Sequence, residues 1–138
     1  MLDMGIALVM ALVCIAVHFE ALWLIERVVS TLRSARISLL VSWTGLFIAH
    51  VLEIWMYAFA YVGCARAGIG DLQGVSTLLD YAYYSAVVYT TLGFGDIVPD
   101  RGVQLLTGSE ALVGLSLIAW SATVTYARVL PQKQLPYK

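Results

Sequence analysis

Charged side chains are scarce in this sequence: Asp, Glu, Lys and Arg make up 12% of 138 residues, and the formal net charge is -1. Without a basic surplus there is nothing to neutralise phosphates, so nucleic acid is excluded as a partner. No block of like charge marks a solvated tail. Two cysteines are too few for a disulfide scaffold, and the helix assignment below places Cys14 inside a membrane and Cys64 near its outer surface, too far apart to bridge. Both read as free thiols. No Pro-rich or Ser-rich linker, internal repeat or low-complexity tract interrupts the chain. The first twenty residues carry Asp3 and no basic flank, and no A-x-A-like site follows, so cleavage as a signal peptide is not expected.

Apolar material, by contrast, is in excess. Hydrophobic residues reach 61% and the mean hydropathy is +0.85, more than one soluble core of this length needs. The expected class is an all-α integral membrane protein. Met4 to Leu24, Ile37 to Val62 and Gln104 to Ala127 are apolar runs long enough for the roughly 20 residues that span a bilayer. Each is broken by few polar residues: His18 and Glu20, His50 and Glu53, and Glu110. A fourth run, Leu78 to Thr91, is too short to cross and ends in glycines, which reads as a re-entrant segment. Arg27, Arg33, Arg36, Arg128, Lys133 and Lys138 lie on one side of these spans, with only Arg66 and Arg101 on the other. The positive-inside rule therefore predicts a cytoplasmic C-terminus and first loop, with the N-terminus and the re-entrant segment facing outward.

The re-entrant segment ends in YTTLGFGD, residues 89 to 96. Backbone that enters a membrane without crossing it must be buried in protein or line a water-filled path. Gly93 and Gly95, at alternate positions, allow backbone conformations closed to other residues, so successive carbonyls can turn toward one axis. Such an oxygen column replaces the hydration shell of a bare cation.

Thr90 to Asp96 resembles the TTVGYGD signature of tetrameric potassium channels, with Leu92 for Val and Phe94 for Tyr. The resemblance extends to an outer helix, a pore helix, a filter and an inner helix over residues 37–128. It leaves residues 1–36 as an extra first helix and loop, peripheral to the pore, and 129–138 as a short cytoplasmic tail. It implies a homotetramer in the lipid bilayer of a plasma or inner membrane, with three transmembrane helices per chain and a fourfold pore. It also implies passive K+ conduction without catalysis and no cofactor beyond the permeant ion. The K+ sites would be built from the carbonyls of Thr91, Leu92, Gly93 and Phe94 and the Thr91 hydroxyl, with Gly95 and Asp96 closing the outer mouth.

The resemblance places Tyr83 and Tyr84 at the aromatic positions that support the filter, one of them bonding Asp96. Thr90 lies at the base of the filter. Val87 stands where some bacterial members carry a glutamate behind it. Gly114 corresponds to a frequent hinge glycine, and with Ile118 and Ala122 it is expected on the face of the inner helix that lines a cavity.

Carboxylates inside a membrane must face protein or water. His50 and Glu53 share a face of the outer helix. Counted inward, Glu53 and Glu110 differ in depth by about one turn, so they are expected to meet behind the pore helix. Glu110 would accept from Ser85 or Thr90, and a proton shared with His50 would confer pH sensitivity near neutrality. Two other readings compete. A non-selective cation channel would need an altered filter, such as an acidic residue for Phe94 or a lost second glycine, and the sequence has neither. A haem or metal protein would use His18 and His50, with Glu20 and Glu53, but these residues have no diagnostic spacing. The plainer role for His18 and Glu20 is to reach the interface or bond a neighbouring helix.

Overall fold

The computed structural model describes residues 2–129, the side chains of residues 2 and 129 excepted. Met1 and residues 130–138 lie outside the described residues, and with them Lys133 and Lys138 of the charge count and nearly all of the expected tail. The chain forms helices α1 (Leu2–Val29), α2 (Ala35–Arg66), α3 (Leu78–Tyr89) and α4 (Gln104–Val129), with two short strands, β1 (Leu72–Gln73) and β2 (Val98–Pro99). Helices α1, α2 and α4 are long and apolar enough to cross a membrane. Both α1 and α2 extend past both limits of the apolar runs, because a helix satisfies its backbone internally and continues into the interface where the hydrocarbon ends.

Helix α1 stops where Ser30 and Thr31 turn their hydroxyls back onto the carbonyls of Arg27 and Val28, at 2.8 and 2.7 Å. This satisfies two of its terminal acceptors. The short α3 is fixed at its start by a capping box. Asp80 Oδ2 accepts from the amides of Ser76 and Thr77 at 2.9 and 2.7 Å, and these donors hold its carboxyl below the usual range. A negative charge thus stays at the positive end of the α3 dipole.

Helix α1 runs antiparallel to α2 and parallel to α4. His18 meets Glu53 of α2 and Ser121 of α4, and eight residues on Glu26 meets Arg128 of α4. Arg128 also reaches Ser42 of α2, so the ends of all three long helices are tied together. The first helix, expected to be peripheral, is part of the core: Cys14 and His18 are fully buried. Cys14 joins Tyr57, Tyr61, Tyr84, Tyr89, Leu106 and Leu117 in one cluster. Both cysteines are free and buried.

At the other end, β1 pairs antiparallel with β2, Leu72 opposite Pro99 and Gln73 opposite Val98. The ladder joins the segment before α3 to the segment after YTTLGFGD. Gly70 and Gly102 make this possible: a Cβ on Gly102 would lie 1.8 Å from the Ile69 carbonyl oxygen. Asp71 and Asp100 brace the same joint, through the Asp100 amide on the Asp71 carbonyl at 2.9 Å and Gln73 Nε2 on Asp100 Oδ1 at 3.1 Å.

Candidate functional site

The backbone after α3 folds back on its own helix. The amides of Thr91, Leu92 and Gly93 donate to the carbonyls of Val88, Val87 and Val87, at 2.9, 2.9 and 3.3 Å. This consumes the terminal acceptors of α3. Among the described residues, no hydrogen bond ends on the carbonyls of Thr91, Leu92, Gly93 or Phe94. The dihedrals alternate in hand: φ is +58° at Thr91, +58° at Gly93 and +78° at Gly95. Gly93 and Gly95 thus adopt the conformation their spacing suggested, at little steric cost. Thr91 does not have that freedom, and a β-branched residue there is a true outlier. Alternating hand lets the carbonyls of a strand point one way instead of alternating sides, leaving a row of unpaired oxygens.

Support comes from α3 and α4. Tyr83 Oη donates to Asp96 Oδ2 at 2.9 Å, so this tyrosine makes the expected aromatic-to-aspartate bond. Tyr84 instead pairs its hydroxyl with Thr107 Oγ1 of α4 at 3.0 Å. Val87 is buried, and its carbonyl is the anchor for two of the amides above. Thr90 bonds the Ala86 carbonyl at 2.7 Å, not Glu110.

The intramembrane carboxylates are fully buried but do not meet each other. Glu110 faces Ser85 Oγ and Tyr61 Oη, each at 2.5 Å. Glu53 takes Tyr89, His18 and His50. Ser85 and Tyr89 are one turn apart on α3, and that turn separates the two carboxylates, because each claims its own hydroxyl. Sequence reasoning found Ser85, His50 and the carboxylates but missed Tyr61, Tyr89 and Ser121. Glu53, Tyr57 and Tyr61 recur every fourth residue along one face of α2, a polar-headed stripe that was available as a signal.

Ser85 Oγ also lies 2.7 Å from the Ile54 carbonyl, and one hydroxyl proton cannot serve both acceptors. A glutamine at position 110 fits this geometry: its NH2 donates to Ser85, releasing the Ser85 proton to Ile54, while its oxygen accepts from Tyr61. Glu110→Gln is therefore expected to hold thermal stability in detergent near the parent. Glu110→Ala leaves Ser85 its bond to Ile54 but drops Tyr61 onto its longer 3.3 Å contact with Thr107 Oγ1, at about 1–3 kcal/mol, with a cavity beside it. Equal losses in the two variants would show that the carboxyl group itself is required.

Placement of the inner-helix residues differs from expectation. At Gly114 α4 runs on without a break, and a Cβ there would lie 2.2 Å from the Tyr89 carbonyl oxygen. It is the point where α4 crosses the end of α3. Ile118 and Ala122 border a cavity of about 230 Å³ against Trp43, Phe47 and His50 of α2. Both stay exposed in the single chain, as do Leu112, Leu115, Ser116, Ala119, Thr123 and Tyr126 of α4. The reason for their place beside α2 is angular: a step of four residues advances 400°, so the stripe drifts onto α2.

The haem reading finds no support in the geometry. Glu20 is exposed, and the two imidazoles stand 5.2 Å apart with both Nδ1 atoms on one carboxylate, whereas two axial ligands need a porphyrin between them.

A family model described as Ion channel matches residues 37–130, the segment from the start of α2 through α4. Searches of curated proteins and of solved structures return no match. The family match covers most of the chain and coincides with the outer helix, the re-entrant α3, the carbonyl strand and the inner helix. The protein therefore belongs to the ion-channel family with a potassium-channel-type, two-helix pore domain, here preceded by a third apolar helix.

Proposed function

We propose that the protein conducts potassium passively and selectively through a pore built from four copies of the chain. The observation that carries this reading is the strand Thr91 to Gly95, whose first three amides are spent on α3 and whose carbonyls from Thr91 to Phe94 accept no hydrogen bond among the described residues, with alternating positive φ. Four such strands around an axis stack rings of oxygens from Thr91, Leu92, Gly93 and Phe94 that replace the water around K+. The C-terminal end of α3 adds the negative pole of its dipole below them.

One chain supplies a quarter of this structure. Leu92 and Phe94 are 59% and 63% exposed in the single chain, and neighbouring subunits are what would cover them. Phe94 lacks a hydroxyl, so packing holds it, while Tyr83 and Asp96 brace the mouth. Ser116, Ala119 and Thr123, exposed on α4, then line the cavity below the filter. The basic residues orient the bundle with the filter mouth and N-terminus outside and the Arg128 end in the cytoplasm. No group-transfer chemistry is involved.

Liposomes carrying the purified protein test the reading. Potassium and rubidium flux is expected to exceed sodium flux by at least about tenfold, because a column sized for the larger ion gives sodium a poor exchange for its water. Equal sodium flux would assign the chain to non-selective cation channels.

A further inference from the structure

Both histidines of the chain converge on one buried carboxylate, although they sit on different helices. His18 Nδ1 of α1 lies 2.8 Å from Glu53 Oε1, and His50 Nδ1 of α2 lies 3.2 Å from Glu53 Oε2. The three ligand atoms fall within 4.8 Å of one another. His18 and Glu53 are fully buried, and the His50 side chain is 18% exposed. Tyr89 brings a fourth donor atom, its hydroxyl oxygen, 2.9 Å from His50 Nδ1. Conduction through the carbonyl strand has no need of two imidazoles at this place.

We propose that His18, His50 and Glu53 form a regulatory site for a divalent transition ion of the Zn2+ class, with the Tyr89 hydroxyl or a water in the fourth position. Two imidazoles and one carboxylate are a donor set that suits Zn2+, Co2+ or Ni2+ and does not suit K+, Mg2+ or Ca2+, which take oxygen. Tetrahedral ligands on such an ion stand about 3.3 Å apart, as follows from bonds of about 2.0–2.1 Å. The imidazole-to-carboxylate spacings of 2.8 and 3.2 Å need to open by up to about half an ångström, and the ligand atoms, which lie within 4.8 Å of one another, to draw onto one point.

The surroundings agree. Ser121 Oγ of α4 lies 3.1 Å from His18 Nε2. In the bound state Nε2 keeps its proton and donates it there, which fixes Nδ1 as the ligand atom. The cluster adjoins Tyr89, the last residue of α3, so the negative pole of that helix offsets the ion's remaining charge. The cavity between α2 and α4 has His50 and Ser121 in its wall, so the cluster borders open space and not solid packing on that side.

A bound ion would act on conduction through Tyr89. That residue hydrogen-bonds Glu53 and immediately precedes Thr90 and the filter. An ion that takes the Glu53 oxygens competes with Tyr89 for them and locks α1 to the base of the filter. Ser121 is a positioning residue in this arrangement.

The test uses the full-length chain in detergent, without a histidine tag, titrated with Co2+. The expected result is the intense visible absorption of tetrahedral Co2+, saturating at one ion per chain and bleached by Zn2+. His50→Gln, whose side chain is partly exposed and whose loss threatens the fold least, should weaken binding by about 100-fold or more, and Ser121→Ala by about tenfold with the bands kept in place. Only the weak absorption of octahedral Co2+ in the parent, or unchanged bands in H50Q, would overturn the site. Zn2+ should also lower cation flux through parent liposomes by at least about tenfold and leave H50Q unaffected. Undiminished flux with the ion demonstrably bound would overturn the regulatory role alone. The absorption measurement does not depend on the potassium reading.

Discussion

Gly114→Ala is expected to abolish the assembled channel. Gly114 lies where α4 crosses the end of α3, and an added Cβ would sit 2.2 Å from the Tyr89 carbonyl oxygen and 2.9 Å from its carbonyl carbon. The obstacle is backbone, so no rotamer change relieves it. Overpacking a tight site costs about 1–3 kcal/mol and more where the neighbours cannot move. Here the neighbour is the carbonyl of Tyr89, whose side chain is held by Glu53 and His50, and in the proposed tetramer the damage would repeat in every subunit. Size-exclusion yield and thermal unfolding in detergent read the effect. The matched control is Gly5→Ala on α1, where nothing lies within 4 Å of the new Cβ and the better helix propensity of alanine favours the variant. A G114A protein as stable as the parent would show that α4 does not approach α3 this closely.

Gly93→Ala should eliminate discrimination between potassium and sodium while sparing the fold of the single chain. Its origin differs from that of the Gly114 effect. No atom lies within 4 Å of the added Cβ, but φ is +58°, and an L-residue there costs about 1–2 kcal/mol. In the proposed tetramer four copies around one ring would bring the cost to roughly 4–8 kcal/mol, enough to drive the strand into another conformation with its carbonyls off the axis. Thr91, which already bears a φ of +58°, shows that the surroundings tolerate one such residue per strand. A second removes the margin. Flux of both ions in liposomes decides the matter, together with the yield of folded protein: selective conduction by G93A would mean that the positive φ is not essential to the filter.

The local chemistry of this protein was legible along the chain. Runs of apolar residues set the three long helices, because in hydrocarbon only a helix can satisfy its own backbone. A short run ending in glycines set the re-entrant turn, and alternate glycines after Thr91 set the left-handed positions, because only glycine takes them without strain. Position offered Ser85 or Thr90 as a partner for Glu110, and the resemblance implied a bond from Tyr83 or Tyr84 to Asp96; packing chose Ser85 and Tyr83.

Whatever depended on rotation between helices did not. Linear depth placed Glu53 and Glu110 a turn apart and suggested that they meet, but which hydroxyl each one takes is set by the azimuth of α2 and α4 about α3. The same angle set Gly114 against the end of α3 and Ile118 and Ala122 beside a cavity on α2. It also brought His18, from a helix that looked peripheral, onto Glu53. The two-residue strands were invisible for a related reason: a ladder that short has no period, and it exists because Gly70 and Gly102 let two distant loops touch. Intrahelical hydrogen bonds fix where a segment is helical, but side-chain packing across chain-distant surfaces fixes how it is turned, and that information is not local in the sequence.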